Sequence, residues 1–259
     1  MALPQYRISE KLSIILESID KNEKLDIFTF NQAIKDADVV QEEPIKLMLK
    51  ALAYGAYQDN SSALKYFERA LKYQNAQVVK NYITYLSRTF QFELYLKESI
   101  RLANQYNDKY ITFLGRNVSY NFSDIKNASL LADKLVKLYS NVDYEEFPIL
   151  DFSQNINELE VFMSASAISE SDAKWIISKA YEIAANHKIM CVSTEFYTSP
   201  DKRETAIIFY VKSDDNDVIS DMDIEIACNL SIREDLSQMD ITAWFKSSDG
   251  LKRSGDMLL

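Results

Sequence analysis

Over most of the first 140 positions, apolar residues return three and four places apart. Ile8, Leu12, Ile15, Leu16 and Ile19 fall on one face of a helix predicted over 8–21. A second helix is predicted over 26–38, with Phe30, Ile34 and Ala37 on its apolar face. Glu42, Glu43 and Pro44 then restart the chain, because acidic residues and proline suit a first helical turn. Helices follow over 44–58, 62–73, 76–90, 93–106, 109–122 and 124–139. Within 62–73, Ala63, Phe67, Ala70 and Tyr73 are expected on one face. Asp59, Asn60, Ser61 and Ser62 form a polar turn able to cap the helix that follows.

Beyond residue 141 the period changes. Residues 142–157, with Pro148, have no helical period and are expected to connect two domains. Leu159, Val161 and Met163 alternate, which predicts a strand over 158–166. A helix is expected from about Ser169 to His187, with Ser171 as its candidate cap. Residues 189–197 and 204–212 are two β-rich runs joined by a polar loop, an expected antiparallel hairpin. The run 218–232 fits either structure. Val218, Ile219, Met222, Ile226 and Leu230 suit a helix, while Met222, Ile224, Ile226, Cys228, Leu230 and Ile232 alternate as in a strand. Helix is preferred, because Asp214, Asp215, Asn216 and Asp217 make a cap-rich start and a crossover would bring 240–246 back as a last strand. The expected order β-α-β-β-α-β resembles the ferredoxin-like split βαβ plan in element order. The expected organisation is a helical domain over 1–143, a linker over 144–157, an α/β domain over 158–247 and a flexible tail over 248–259.

The helical part repeats. Ala37, Ala70, Ala103 and Val136 stand 33 residues apart, as do Ile34, Phe67 and Ile100, and Val40, Tyr73, Tyr106 and Tyr139. Ala63, Phe67 and Ala70 in one unit, Leu96, Ile100 and Ala103 in the next, and Leu52, Ala53 and Tyr57 in a first helix carry a resemblance to the tetratricopeptide family. It covers roughly residues 8–141. The chain lacks the family's first-helix tryptophan and inter-repeat proline. The resemblance implies stacked helical hairpins, since one hairpin cannot bury its own face. It also implies a concave face lined by first helices, which places Lys50, Tyr54, Tyr57, Lys80 and Ser87 as candidate partner-binding residues. Tyrosine gives rigid amphipathic area and lysine reaches carboxylates. The competing reading makes the tyrosines inter-repeat packing and the lysines solvated.

The fold class expected is therefore α+β: a tetratricopeptide-like helical part followed by a small α/β domain. Composition agrees with this, with 47% hydrophobic residues over 259 positions and only four glycines and four prolines. The net charge of −10 disfavours nucleic acid and anionic membranes as partners, and attracts a basic protein at long range. No apolar run approaches the length of a membrane span, and the first residues lack a secretion signal, so a cytoplasmic location is expected.

Chemistry is sparse. The one histidine, His187, lies at an expected helix end with no partner apparent in the sequence. Cys191 and Cys228 lie among apolar neighbours, as buried thiols would. The acidic cluster at 214–225 lacks the glycine and glutamate spacing of a calcium loop. Phosphate loops, dinucleotide fingerprints and nucleophile elbows are missing. Neither catalytic residues nor a metal or cofactor are predicted. The expectation is a non-enzymatic protein that binds a protein partner, in a setting such as bacterial immunity, antitoxin or adaptor function. The alternative is a ligand-sensing or catalytic C-terminal domain regulated by the repeats. RNA binding would need exposed aromatics on the sheet, with Phe196, Tyr197, Phe209 and Tyr210 beside Lys202 and Arg203.

Overall fold

The computed structural model describes residues 4–139, 150–201, 203–237 and 239–249. The chain is α+β and divides into two compact units, residues 1–91 and 92–259. The first unit holds α1 (Pro4–Asp20), α2 (Ile27–Asp38), α3 (Glu43–Ala56), α4 (Asn60–Leu71) and α5 (Ala76–Arg88). Helix α3 packs against all four of the others. Its composition explains this: Leu47, Met48, Leu49, Ala51, Leu52, Ala53, Gly55 and Ala56 are buried around most of its circumference.

The second unit opens with α6 (Phe92–Gln105), α7 (Lys109–Asn121) and α8 (Ile125–Leu138), with α7 packed against both neighbours. The helices predicted over 76–90 and 93–106 as one hairpin thus belong to different units. The repeated alanines Ala37, Ala70 and Ala103 are all buried, as is Phe67. Tyr73 is not: it is 54% exposed and lies beyond the end of α4, so it does not share the face of Ala63, Phe67 and Ala70.

The turns after α1, α3, α5 and α7 share one construction. Asn22, Gln58, Phe90 and Ser123 adopt positive φ of 52°, 64°, 56° and 56°. In each turn the next N–H donates five residues back, from Glu23 to Ser18, Asp59 to Tyr54, Gln91 to Leu86 and Asp124 to Ser119. This is the Schellman closure of a helix end, made here without glycine.

The segment predicted as a strand over 158–166 is helical. It belongs to α9 (Ser153–Ser166), which also takes up the last residues of the predicted linker. Leu159, Phe162 and Ser166 are its buried residues, spaced three and four apart. The alternation of Leu159, Val161 and Met163 lost because Phe162 carries the larger apolar payload on the helical face. Residues 144–149 of the predicted linker and 250–259 of the predicted tail lie outside the described residues.

Helix α10 (Glu170–Asn186) is capped by Ser169, not Ser171: the Ser169 hydroxyl accepts the Asp172 N–H at 3.1 Å. Then come β1 (Cys191–Thr198), β2 (Thr205–Val211), α11 (Asn216–Ile232), α12 (Glu234–Ser237) and β3 (Ile241–Ser247). Asp215 caps α11 by accepting the Asp217 and Val218 N–H groups. Among the described residues the strands form one sheet in the order β1-β2-β3. β1 and β2 make the expected antiparallel hairpin, and β2 pairs directly and in parallel with β3. With the first strand absent and β2 beside β3, the element order is not β-α-β-β-α-β.

Register sorts the sheet into two faces. Phe196, Ile207, Phe209, Ala243 and Phe245 share a core with Leu159, Phe162, Ile176, Ile177, Met222 and Ile226 of the helices. Tyr120 of α7 and Phe122 at its C-cap join that core, so α7 and the sheet belong to one hydrophobic body. The opposite face carries Glu195, Tyr197, Ala206, Ile208, Tyr210, Thr242, Trp244 and Lys246.

Candidate functional site

In the first unit, the C-terminal end of α3 presents half-buried Tyr54 and, at its C-cap, half-buried Tyr57. The Phe30 ring of α2 stacks on Tyr57 at 4.4 Å and meets Tyr54 edge-on at 5.1 Å. Tyr54 in turn stacks on Tyr66 of α4 at 5.2 Å. Such offset and edge contacts fit the ring quadrupole. Tyr54 in the last turn of α3 and Tyr57 at its C-cap are three residues apart, and both reach the Phe30 ring. Phe30 and Tyr66 reach them because α2 and α4 flank α3.

Cations border this ribbon. Lys24 lies 4.4 Å over the Tyr57 ring, Arg69 5.3 Å over Tyr66 and Lys50 5.9 Å over Tyr66. Lys50 also pairs with Asp38 at 2.5 Å, and that hydrogen bond holds its pKa above the ordinary lysine value. Burial pushes the Tyr54 phenol up, with the neighbouring Tyr66 adding to the shift. The ribbon therefore offers π faces, neutral hydroxyls and fixed cations, which suits a peptide carrying carboxylates and apolar side chains.

Of the residues expected to bind a partner, Lys50, Tyr54 and Tyr57 are brought together here. Lys80 and Ser87 are half-buried and seven apart on α5. Sequence reasoning missed Lys24, Phe30, Asp38, Tyr66 and Arg69. They come from three different segments, and only the aromatic character of Phe30 and Tyr66 at helical spacing pointed toward them.

The second unit holds other polar features. His187 does have a partner: its Nε2 lies 2.8 Å from Oε1 of Glu225 on α11. Their separation of 38 positions along the chain hides the pair from any local reading. Arg116 on α7 is 2% exposed, 4.1 Å from the Phe152 ring and 5.1 Å from Phe113, and burial lowers its pKa to about 10. Lys134 of α8 donates to the Ala103 and Tyr106 carbonyls at 2.6 and 2.7 Å, closing the C-terminus of α6. Cys191 is buried, and burial raises its pKa well above the thiol range, which makes it inert. Cys228 is exposed, contrary to the expectation that both thiols are buried.

The aromatics considered for RNA stacking are divided by the sheet. Phe196 and Phe209 lie in the core, where no base reaches them. Tyr210 is 9% exposed and donates to Glu195 at 2.5 Å. Tyr197 is exposed, and Lys202 lies outside the described residues. Among the described residues no group of three or more His, Cys, Asp or Glu side chains is placed to hold a metal ion. No helix among them is long and apolar enough to cross a membrane.

No protein-family model matches the chain, and neither a curated protein nor a solved structure matches it.

Proposed function

We propose that this chain is a non-enzymatic interaction protein that takes a protein partner on the aromatic ribbon of α2, α3 and α4. The observation that carries the reading is the run Tyr57–Phe30–Tyr54–Tyr66, in which the three tyrosines are half-buried over a buried Phe30, bordered by Lys24, Lys50 and Arg69. Aromatic side chains with a wet hydroxyl and little rotamer entropy are the residues that dominate binding energies. The α3–α4 and α7–α8 hairpins are read as tetratricopeptide-like, on the buried Ala70 of α4, the half-buried Val136 two periods later on α8, the shared turn construction and the period of 33. A net charge of −10 draws a partner of opposite sign at long range, while the ribbon reads its local side chains. An acidic chain meeting a basic protein fits an immunity, antitoxin or adaptor role in a cytoplasm.

A pull-down from the native source at low and high salt tests this. The expected result is a stoichiometric protein partner, recovered less at high salt and lost with Tyr57→Ala and Lys24→Glu combined. Recovery of no stoichiometric protein at either salt overturns the reading.

A further inference from the structure

Helix α11 is apolar on two sides. Its inner side buries Ile219, Met222 and Ile226, with Leu230 partly buried against the core. At 100° per residue, Ile224, Cys228 and Ile232 form a second line roughly opposite the first. Ile224 is 63% exposed, Ile232 is 79% exposed and Cys228 is exposed. A solvated helix face ordinarily carries charge, and aligned exposed apolar residues mark interaction surfaces.

The charges around the line are of one sign. Asp217 and Asp221, both exposed, continue the same line over the two preceding turns. Asp214 and Asp215 precede the helix, and Glu234 and Asp235 follow Ile232. No residue of α11 is basic. Arg233, beside its end, is held by Asp172 at 2.8 Å and by Asp235. A second copy of this chain would set acidic ends against one another, which like-charge repulsion disfavours, or against apolar residues, which strips water from unpaired carboxylates.

We propose that the outer face of α11 docks a cationic amphipathic helix of a partner protein. Its apolar residues lie along Ile224, Cys228 and Ile232, and its lysines or arginines face Asp217 and Asp221. This surface belongs to the second unit and is separate from the α2–α4 ribbon, so each stands or falls alone. Apolar contact supplies affinity, and the carboxylates choose a basic helix over an acidic one and speed its approach.

Cys228 reports on the surface directly, because the chain's other cysteine, Cys191, is buried with its thiol pKa raised. The intact chain is alkylated with monobromobimane and the two cysteines are resolved by mass spectrometry. The probes are a helical peptide of leucine and lysine with one apolar face, a same-composition peptide with scattered leucines, and a leucine–glutamate analogue. The expected result is saturable protection of Cys228 by the first peptide alone. Ile224→Ser or Ile232→Ser weakens that protection by roughly tenfold, and Asp217→Asn with Asp221→Asn removes its salt dependence. Both isoleucines are exposed, and far-UV circular dichroism checks that the variants keep their fold. Tyr57→Ala leaves the protection unchanged. Absent protection, equal protection by either control peptide, or protection indifferent to Ile224→Ser and Ile232→Ser overturns the proposal. Protection that grows with protein concentration alone also overturns it, since the occupant is then a second copy.

Discussion

Gly115 on α7 has no room for a side chain. A Cβ there would meet the Ala103 Cβ of α6 and come within 3.1 Å of the Ser99 carbonyl oxygen. Neither atom belongs to a flexible chain end, so Gly115→Ala is expected to lower stability by about 1–3 kcal/mol, read from urea unfolding. Gln74 gives the opposite case. It is exposed and holds φ at 54°, a left-handed conformation that costs a non-glycine residue about 1–2 kcal/mol. Glycine removes that strain but adds unfolded-chain entropy, so Gln74→Gly is expected to raise stability by roughly 0.5–1 kcal/mol, seen as a higher Tm. Unchanged Tm would mean that the turn carries no net strain. Neither position was legible from sequence. Left-handed turns are usually flagged by glycine, and here Asn, Gln, Phe, Ser, Ala and Lys take those places. The close approach of α6 and α7 depends on an alanine twelve residues before the glycine.

At the scale of elements, both outer strands of the sheet are guarded by helix side chains. The Thr194 N–H of β1 donates to Asn121 on α7 at 3.2 Å, and the Phe245 N–H of β3 donates to Asp223 on α11 at 2.6 Å. Open strand edges template unwanted pairing. Asp223→Ala is expected to leave the Phe245 N–H without its acceptor, lower stability by about 1–3 kcal/mol and promote self-association, followed by light scattering. A variant as stable and as monodisperse as the parent would show that the contact guards nothing. The helix starts make a second case, in acid. Asp26 is held below the ordinary carboxylate range by Thr29, Asp59 by Ser62, and Asp172 by Ser169 and then Arg233. Their folded pKa values lie below the unfolded ones. The stability they add is therefore complete above the unfolded value and lost as pH falls through the folded ones. The urea midpoint is expected to hold steady above about pH 5 and to fall below about pH 4. Asp223, raised by burial, works in the opposite sense and blunts the fall.

Elements were the most legible level. The helices from α1 to α8 were readable because caps and apolar spacing are local, and each ends within a few residues of its expected place. The dual reading of 218–232 has a physical origin in two apolar lines on opposite sides of α11. One runs through Met222, Ile226 and Leu230, the other through Ile224, Cys228 and Ile232. Interleaved, they imitate the alternation of a strand. The error at 158–166 came from the same source, a short run in which both periods can be counted.

For the whole molecule, charge and surface act at different ranges. A net charge of −10 is expected to make association with a basic partner fall steeply in rate with added salt, while dissociation changes less. Stopped-flow measurement over a salt series checks this, and a salt-independent association rate would show that steering is absent. Sequence alone was enough for the mixed α+β class, the succession of helices α1 to α8, the antiparallel β-hairpin and the acidity. Each of these is written in neighbouring residues or in a sum over the chain. Only the tertiary structure decided that Phe30 and Tyr66 complete the tyrosine ribbon, that Glu225 meets His187, which sheet face enters the core, and that Ile224 and Ile232 stay in water. Those outcomes depend on which distant segments pack together, and the competition for buried area that settles the packing is not local to any stretch of sequence.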